Sequence, residues 1–269
     1  MKKVKNQITK IYKRKGKEID ILIYYRMLLQ RISRHLSPKE VSFLMGKPLD
    51  FISKVETFRI KKIFIQDVVV MHRALAVNSI NSMMHLGEDI SSKDNAYELH
   101  VTKLVDRVIY DMYKVDVEQD QKVKEFKLID IRYDIDPSTN STTDEVKKIE
   151  TFLDEQIDVE QDQKVKEFKL IDIRYDIDPS TNSTTDEVKK IETFLDEQID
   201  GGYFSEERLA YEIHNLCCEK LEKYIQPKNL MLVLDELLQG SEETRIVRHQ
   251  TGYGFGYVLA AHAKSTEKK

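Results

Sequence analysis

The sequence predicts a mainly α-helical protein with a small β component. We expect an N-terminal helical bundle, a small central sheet, and a C-terminal helical unit that ends in a hairpin. Apolar residues recur at helical spacing before residue 80 and again after residue 185, and short alternating segments lie between them. A length of 269 residues is enough for two modest domains.

The N-terminal part of the chain is strongly basic. Residues 1–18 are rich in lysine and contain no apolar run, so we predict a basic tail there. Residues 1–73 carry 18 Lys and Arg against 6 Asp and Glu, a net charge of +12, whereas the whole chain has a net charge of −4. This asymmetry favours an anionic partner for the basic part, although a solvated basic tail has the same composition.

Residues 19–80 are predicted to form a bundle of short helices. The first helix covers residues 19–36, which have apolar side chains at helical spacing. The segment Ser37–Glu40 (SPKE) starts the second helix, because serine caps a helix, proline suits its first position and glutamate completes a capping box. Gly46 permits a tight turn, and a third helix follows over residues 48–57. A closing helix contains Val68, Val69, Met71, Leu75 and Val77.

The stretch Ser37–Glu56 resembles the helix-turn-helix of the Cro/C1 (XRE-type) repressors, in a Bacteroidetes-like variant with an extended basic loop. In that family a motif of the form S-x-x-x-L-A-x-x-x-G-x-x-x-x-x-I-S-x-x-E recurs. In this chain the corresponding places are occupied by Val41, Ser42, Gly46, Ile52, Ser53 and Glu56. The sequence departs from the family near Pro38, where a glutamine is frequent, and after Glu56, where a glycine is usual.

This resemblance implies a DNA-binding transcriptional regulator whose partner is double-stranded DNA. It allows a homodimer, because proteins of this class commonly bind two half-sites. The residues implied to read bases are Leu49, Asp50, Ser53 and Lys54. The residues implied to contact phosphates are Ser37, Lys39, Lys47, Arg59, Lys61 and Lys62. The alternative is a protein-interaction or antitoxin-like adaptor, in which the helix-turn-helix is only a scaffold.

Residues 97–184 are predicted to form a strand-rich connector that contains an identical repeat. Residues 97–103 and 126–135 alternate apolar and polar side chains, which is typical of half-buried strands, whereas residues 104–115 suit a helix or a strand. Residues 116–157 recur letter for letter as residues 158–199. Because repeats that build solenoids diverge and come in threes or more, we interpret this one as a recent or engineered duplication.

Residues 185–261 are predicted to contain three helices, over residues 186–199, 206–221 and 227–238, followed by a hairpin. This order resembles a winged helix, and a polar tail follows at 262–269. The possible DNA contacts in this unit are Lys228, Asn229, Arg245, Arg248 and His249. The net charge of −2 over residues 200–269 argues against strong DNA binding. Winged helices also serve as protein-docking or dimerisation modules, and this role is an equal alternative.

Several functional classes are disfavoured by what the sequence lacks. It contains none of the common catalytic, nucleotide-binding or metal-binding motifs, so we expect neither an enzyme nor a cofactor or metal site. The loop 134–145 has oxygen ligands at calcium-loop spacing, but Pro137 and Thr139, where glycine is required, favour a polar loop. The adjacent Cys217 and Cys218 cannot form a disulfide framework, and no apolar segment could span a bilayer. We therefore expect a cytoplasmic protein without a membrane partner.

Overall fold

A computed structural model describes residues 8–77, 80, 83, 93–104, 107–116, 121–131, 184–239 and 245–262. The helices within these ranges are α1 (Glu18–Ile32), α2 (Pro38–Leu44), α3 (Phe51–Glu56), α4 (Ile65–Ala74), α5 (Thr184–Asp200), α6 (Ala210–Lys220) and α7 (Pro227–Gln239). The strands are β1 (Ile8–Lys17), β2 (Asp94–Lys103), β3 (Arg107–Asp116), β4 (Gln121–Ile131), β5 (Arg208–Leu209), β6 (Ile246–Gln250) and β7 (Phe255–Leu259).

The prediction of a mainly α-helical fold with a small sheet is wrong, because β structure is a substantial part of the molecule. Strands β1, β2, β3 and β4 form an antiparallel sheet in that order, and strands β5, β7 and β6 form a second antiparallel sheet. In the first sheet β1, β2 and β3 each have 10 residues and β4 has 11, which are long strands for a globular protein.

The main source of this error is the N-terminal segment. Residues 8–17, predicted to belong to a basic tail, form β1 and pair with β2. Lysine and arginine are tolerated in such an edge strand because their aliphatic stems cover apolar neighbours while their charges remain in water. Residues 107–116, which suit either a helix or a strand by pattern, form β3. Both outcomes depend on pairing with β2, which local pattern does not reveal.

One face of the first sheet packs against the helical bundle. The buried side chains on this face alternate along β2 and β3: Tyr97, Leu99, Val101, Tyr110 and Met112. Together with Tyr24, Leu28 and Phe58 of the bundle, Leu99 and Met112 surround a small gap at this junction. The sheet and the bundle therefore share one hydrophobic core, to which the C-terminal unit also contributes.

The helix-turn-helix segment folds as its local sequence indicates. The predicted capping box at the start of α2 is confirmed: the Ser37 amide donates to Glu40 Oε2 (2.7 Å), and the Glu40 amide donates to Ser37 Oγ (3.1 Å). Ser42, which is fully buried, lets α2 and α3 cross closely because its hydroxyl accepts a hydrogen bond from the Ile52 amide (3.0 Å). Gly46 makes the turn with a φ of +64°.

The C-terminal unit contains α5, a short 3₁₀ helix, β5, α6, α7 and the hairpin β6–β7. Its helices α6 and α7 both pack against α2, and α6 also contacts α4. Because buried residues of α2 lie against this unit, the helix-turn-helix is not an independent bundle. The C-terminal unit completes its hydrophobic core.

Each copy of the duplicated sequence supplies a different described element. Strand β4 comes from the first copy, and α5 comes from the second. The 52 residues between them, 132–183, lie outside the described residues. The loop with calcium-like spacing belongs to that segment, and so do residues 168–177, which repeat the sequence of the predicted strand 126–135.

We expect that deletion of residues 142–183 leaves the fold intact. This deletion removes no described residue, yields the same sequence as deletion of residues 116–157, and leaves ten residues, 132–141, between β4 and α5. Ten residues reach roughly 35 Å when extended, and the shorter connection should stabilise the fold by about 1 kcal/mol. Thermal unfolding measures the result. A marked loss of cooperativity would show that the second copy belongs to a core.

Candidate nucleic-acid interface

The residues expected to read bases lie on the surface at α3. Leu49, Asp50 and Ser53 are exposed, and Lys54 is half-buried. The ammonium group of Lys54 lies 2.6 Å from Asp50 Oδ2, four residues earlier in the chain. The structure therefore presents Leu49 and Ser53 directly to solvent and joins Asp50 and Lys54 in a surface ion pair.

The basic loop between α3 and α4 carries uncompensated positive charge. Arg59, Lys61 and Lys62 are all exposed, and none of them forms an ion pair with a described residue. Surface cations without a counter-charge favour anionic ligands, because binding releases the counterions of a polyanion and breaks no protein ion pair. This loop is therefore the clearest anion-attracting feature of the helix-turn-helix.

Two side chains from outside the motif hold the backbone of this loop. The Tyr24 hydroxyl donates to the Ile60 carbonyl (2.6 Å), and Arg14 Nη2 donates to the Lys61 carbonyl (3.0 Å). The Arg14 guanidinium also lies 4.6 Å from the centre of the Tyr24 ring. Burial raises the pKa of Tyr24, so its hydroxyl remains a donor. Strand β1 and helix α1 therefore fix the backbone of the basic loop. The sequence did not indicate this role of Arg14, because residues 1–18 were predicted to form a tail.

The other residues expected to contact phosphates, Ser37, Lys39 and Lys47, differ in whether their polar groups already have partners within the protein. Ser37 caps α2, and its side-chain oxygen is occupied by the Glu40 amide. Lys47 is 2.9 Å from Asp67 Oδ1, near the start of α4, and lies over the Phe51 ring. Lys39 is exposed. Of the two lysines, Lys47 is paired with Asp67, whereas Lys39 is exposed and has no acidic partner among the described residues.

A buried ion pair anchors α3 to α1 and to the first sheet. Arg31 is completely buried, and its guanidinium donates to Glu56 Oε1 (2.5 Å) and Oε2 (3.3 Å). The same group donates to the Leu36 carbonyl (2.9 Å) and to the Tyr110 hydroxyl of β3 (3.2 Å). Glu56, the last position of the family motif, therefore has a structural role and does not face solvent.

We expect Glu56→Gln to destabilise the protein by about 3–5 kcal/mol, because it leaves the buried Arg31 charge without its counter-charge. The exposed Glu192 on α5 provides a matched control, and Glu192→Gln should change stability by less than about 0.5 kcal/mol. Urea denaturation of both variants measures the difference. Equal effects would show that the buried pair contributes nothing.

Three of the five DNA contacts predicted in the C-terminal unit already bind acidic side chains. Asn229 donates a hydrogen bond to Glu187. Arg245 forms ion pairs with Asp196 and Asp200, and His249 lies within ion-pair distance of Glu207. Asn229 is also buried. Lys228 is exposed at the start of α7, but the same exposed surface carries Leu232 and the acidic Glu236. Helix α7 therefore lacks the basic surface that DNA binding requires.

The hairpin β6–β7 contacts the turn of the helix-turn-helix through backbone atoms. The Phe255 amide donates to the Gly46 carbonyl (2.5 Å). A Cβ on Gly46 would lie 2.6 Å from the Phe255 carbonyl oxygen, and one on Gly254 would lie 2.5 Å from the Gly46 oxygen. The Arg248 guanidinium lies 4.9 Å from the centre of the Phe255 ring, which brings this predicted contact beside the turn. The sequence predicts the turn at Gly46 and the C-terminal hairpin separately, and it indicates no contact between them.

We expect Gly46→Ala to destabilise the protein by about 2 kcal/mol or more, because it adds a left-handed backbone penalty to a clash with the hairpin. Gly252→Ala is the matched control, since a Cβ on this exposed glycine would meet no atom within 4 Å. Chemical denaturation of the two variants tests the contact. If both variants were equally stable, the close approach would not be a stabilising feature.

A small cluster of His214, Cys217 and Cys218 lies inside the C-terminal unit. The His214 imidazole bonds to the Ile225 carbonyl (2.7 Å), and Cys218 Sγ lies 3.7 Å from His214 Nε2. Burial raises the pKa of the Cys217 thiol to about 12 and also raises that of Cys218, so neither is a reactive thiolate at neutral pH. The cluster is therefore part of the core.

Within the described part of the chain, no group of His, Cys, Asp and Glu side chains is arranged to hold a metal ion. None of the helices described there is long and apolar enough to cross a membrane. Comparison with known proteins found no matching family model, no matching curated protein and no matching solved structure.

Proposed function

We propose that this protein is a DNA-binding transcriptional regulator that uses α2, the turn at Gly46 and α3 as a Cro/C1-like helix-turn-helix. The observation that carries the proposal is the basic loop after α3. Its three cations, Arg59, Lys61 and Lys62, have no ion-pair partner among the described residues, and side chains from β1 and α1 hold its backbone. A fixed loop with exposed charge suits contacts to the phosphates of a duplex.

In this proposal α3 lies in the major groove with its N-terminal residues against base edges. Leu49 and Ser53 are exposed and can approach bases directly. Lys54 first has to leave Asp50, but a surface pair at this spacing contributes only about 0.3–0.5 kcal/mol. The cost is small compared with the roughly 1–3 kcal/mol that a good base contact provides. A homodimer would place two such helices in half-sites about 34 Å apart.

The C-terminal unit has the element order of a winged helix, and we infer that it supports the helix-turn-helix and does not form a second DNA-reading unit. Its helices α6 and α7 pack on α2, and its hairpin bonds to Gly46. Arg248 is the one predicted contact that lies beside the turn and has no acidic partner among the described residues. Deletion of this unit would expose the buried side of α2, so truncation is not a clean test of its role in binding.

The alternative is a protein-interaction adaptor, and one observation favours it. Leu49, Phe64 and Ile65 of the bundle are 42%, 66% and 56% exposed. Large apolar side chains that are exposed are also a feature of protein–protein interfaces. An adaptor would bind its protein partner through this surface and would show no salt-dependent affinity for DNA. Measurement of salt-dependent DNA binding therefore distinguishes the regulator from the adaptor.

We expect the basic loop and α3 to respond differently to mutation. Replacing Lys61 and Lys62 with alanine should weaken binding to every duplex alike and reduce the salt slope by roughly 0.9 per lost phosphate contact. Lys54→Ala should cost about 1–3 kcal/mol on a preferred site, selected from a random pool, and much less on random DNA. Fluorescence anisotropy at several salt concentrations measures both effects.

The double variant Lys189→Ala/Lys190→Ala is the matched control, because it removes two exposed neighbouring lysines from α5, away from the helix-turn-helix. It should leave affinity and salt slope nearly unchanged. Absence of salt-dependent binding of the unmodified protein to any duplex would reject the regulator and favour the adaptor.

A further inference from the structure

The first sheet has a second face, opposite the one that packs on the bundle. The register places Lys13, Glu98 and Tyr113 in one cross-strand row on this face, and His100 and Asp111 in the next. The buried side chains of β2 and β3 that meet the bundle, such as Leu99 and Met112, point the other way because side chains alternate along a strand. On this polar face Lys13, Lys122 and Lys124 are exposed among the described residues, whereas Glu98 is buried beneath its partners.

Lysines lie along both outer strands of this face. Lys13 and Lys15 are on β1, and Lys122, Lys124 and Lys127 are on β4, as the register and the alternation of the strands require. Four adjacent strands place these two rows roughly 14 Å apart. Apart from Lys17 and Asp94, which are register partners at the end of the sheet and balance each other, the five lysines are opposed by two carboxylates, Glu98 and Asp111, so the face has a surplus of three positive charges.

The two carboxylates are neutralised within the face. Glu98 accepts from Lys122 (2.7 Å), His100 (3.1 Å) and Lys13 (3.0 Å), and these hydrogen bonds lower its pKa to about 2. Asp111 lies 3.2 Å from the ammonium group of Lys124. Lys15 and Lys127 have no acidic partner among the described residues, so the surplus charge is concentrated on them.

Aromatic rings lie between the two rows of lysines. The rings of His100 and Tyr113 contact each other with their centres 4.8 Å apart, and the Lys124 ammonium lies 5.5 Å from the centre of the Tyr113 ring. Both aromatic residues are partly exposed. A ring that is held in place and accessible at one side can stack with a nucleobase.

We propose that this face of the first sheet binds single-stranded nucleic acid. The phosphates lie along a row of lysines, and bases stack on Tyr113 and His100. The combination of surplus positive charge with an aromatic centre fits a single strand better than an acidic peptide, which needs no stacking surface, and better than a duplex, whose bases are stacked on each other. This site is separate from the helix-turn-helix and does not depend on the function proposed for it.

The test uses the full chain and a fluorescein-labelled oligothymidine strand of about 20 nucleotides. Lys15→Glu should weaken binding about fivefold or more and reduce the salt slope by about 0.7 or more. Lys10→Glu is the matched control, because Lys10 is an exposed lysine on the opposite side of the same strand and the change in net charge is the same. This control should retain near-normal affinity.

The stacking step is tested at Tyr113. Tyr113→Leu should weaken binding about fivefold or more, whereas Tyr113→Phe, which keeps the ring, should restore it. Circular dichroism melting confirms that each variant is folded. Lys61→Ala/Lys62→Ala should weaken oligothymidine binding much less than Lys15→Glu does, so failure of this site and failure of duplex binding are distinguishable. The proposal is overturned if Lys10→Glu and Lys15→Glu behave alike, or if a polyglutamate peptide competes as well as oligothymidine and Tyr113→Leu has no effect.

Discussion

The buried guanidinium of Arg31 joins the parts of the molecule on which the candidate interface depends. It lies in α1 and bonds to Glu56 at the end of α3, to the Leu36 carbonyl before α2, and to the Tyr110 hydroxyl of β3. A fully buried charge is tolerated only when it is paired and its remaining donors are bonded. The first sheet therefore provides part of the site that fixes the short helix α3, which has only six residues.

The backbone contact between Gly46 and the hairpin places a second constraint on the helix-turn-helix. The backbone of the turn and the backbone of the hairpin approach each other with no side chain between them. Positions 46 and 254 therefore both require glycine. Helices α6 and α7 cover α2 at the same time. The helix-turn-helix is thus held by the sheet through Arg31 and by the C-terminal unit through Gly46. Among its described residues, those that remain exposed include Lys39 of α2, residues 48–50 before α3, Ser53 and the basic loop.

The positively charged side chains of the basic N-terminal part differ in whether an acidic partner neutralises them. Arg31, Lys47 and Lys54 form ion pairs with acidic side chains, and these pairs stabilise the positions of helices and turns. Arg59 and Lys61 are exposed without such partners. Net charge over a segment therefore overestimates the charge available to an anionic ligand, because it counts structural ion pairs together with uncompensated cations. For the proposed function, the uncompensated cations are therefore the first candidates for phosphate contacts, whereas Lys54 has to leave Asp50 before it can contact a base.

The sequence by itself determined the local features: the capping box of α2, the turn at Gly46, the helices of the C-terminal unit and its hairpin. Each depends on residues within a few positions of one another, so periodicity and capping rules are sufficient. Tertiary structure alone decided that the basic segment 8–17 is a strand, that Arg14 holds the basic loop, and that the hairpin contacts Gly46. These features join residues that are distant in sequence, and their stability comes from pairing and packing that no local pattern encodes.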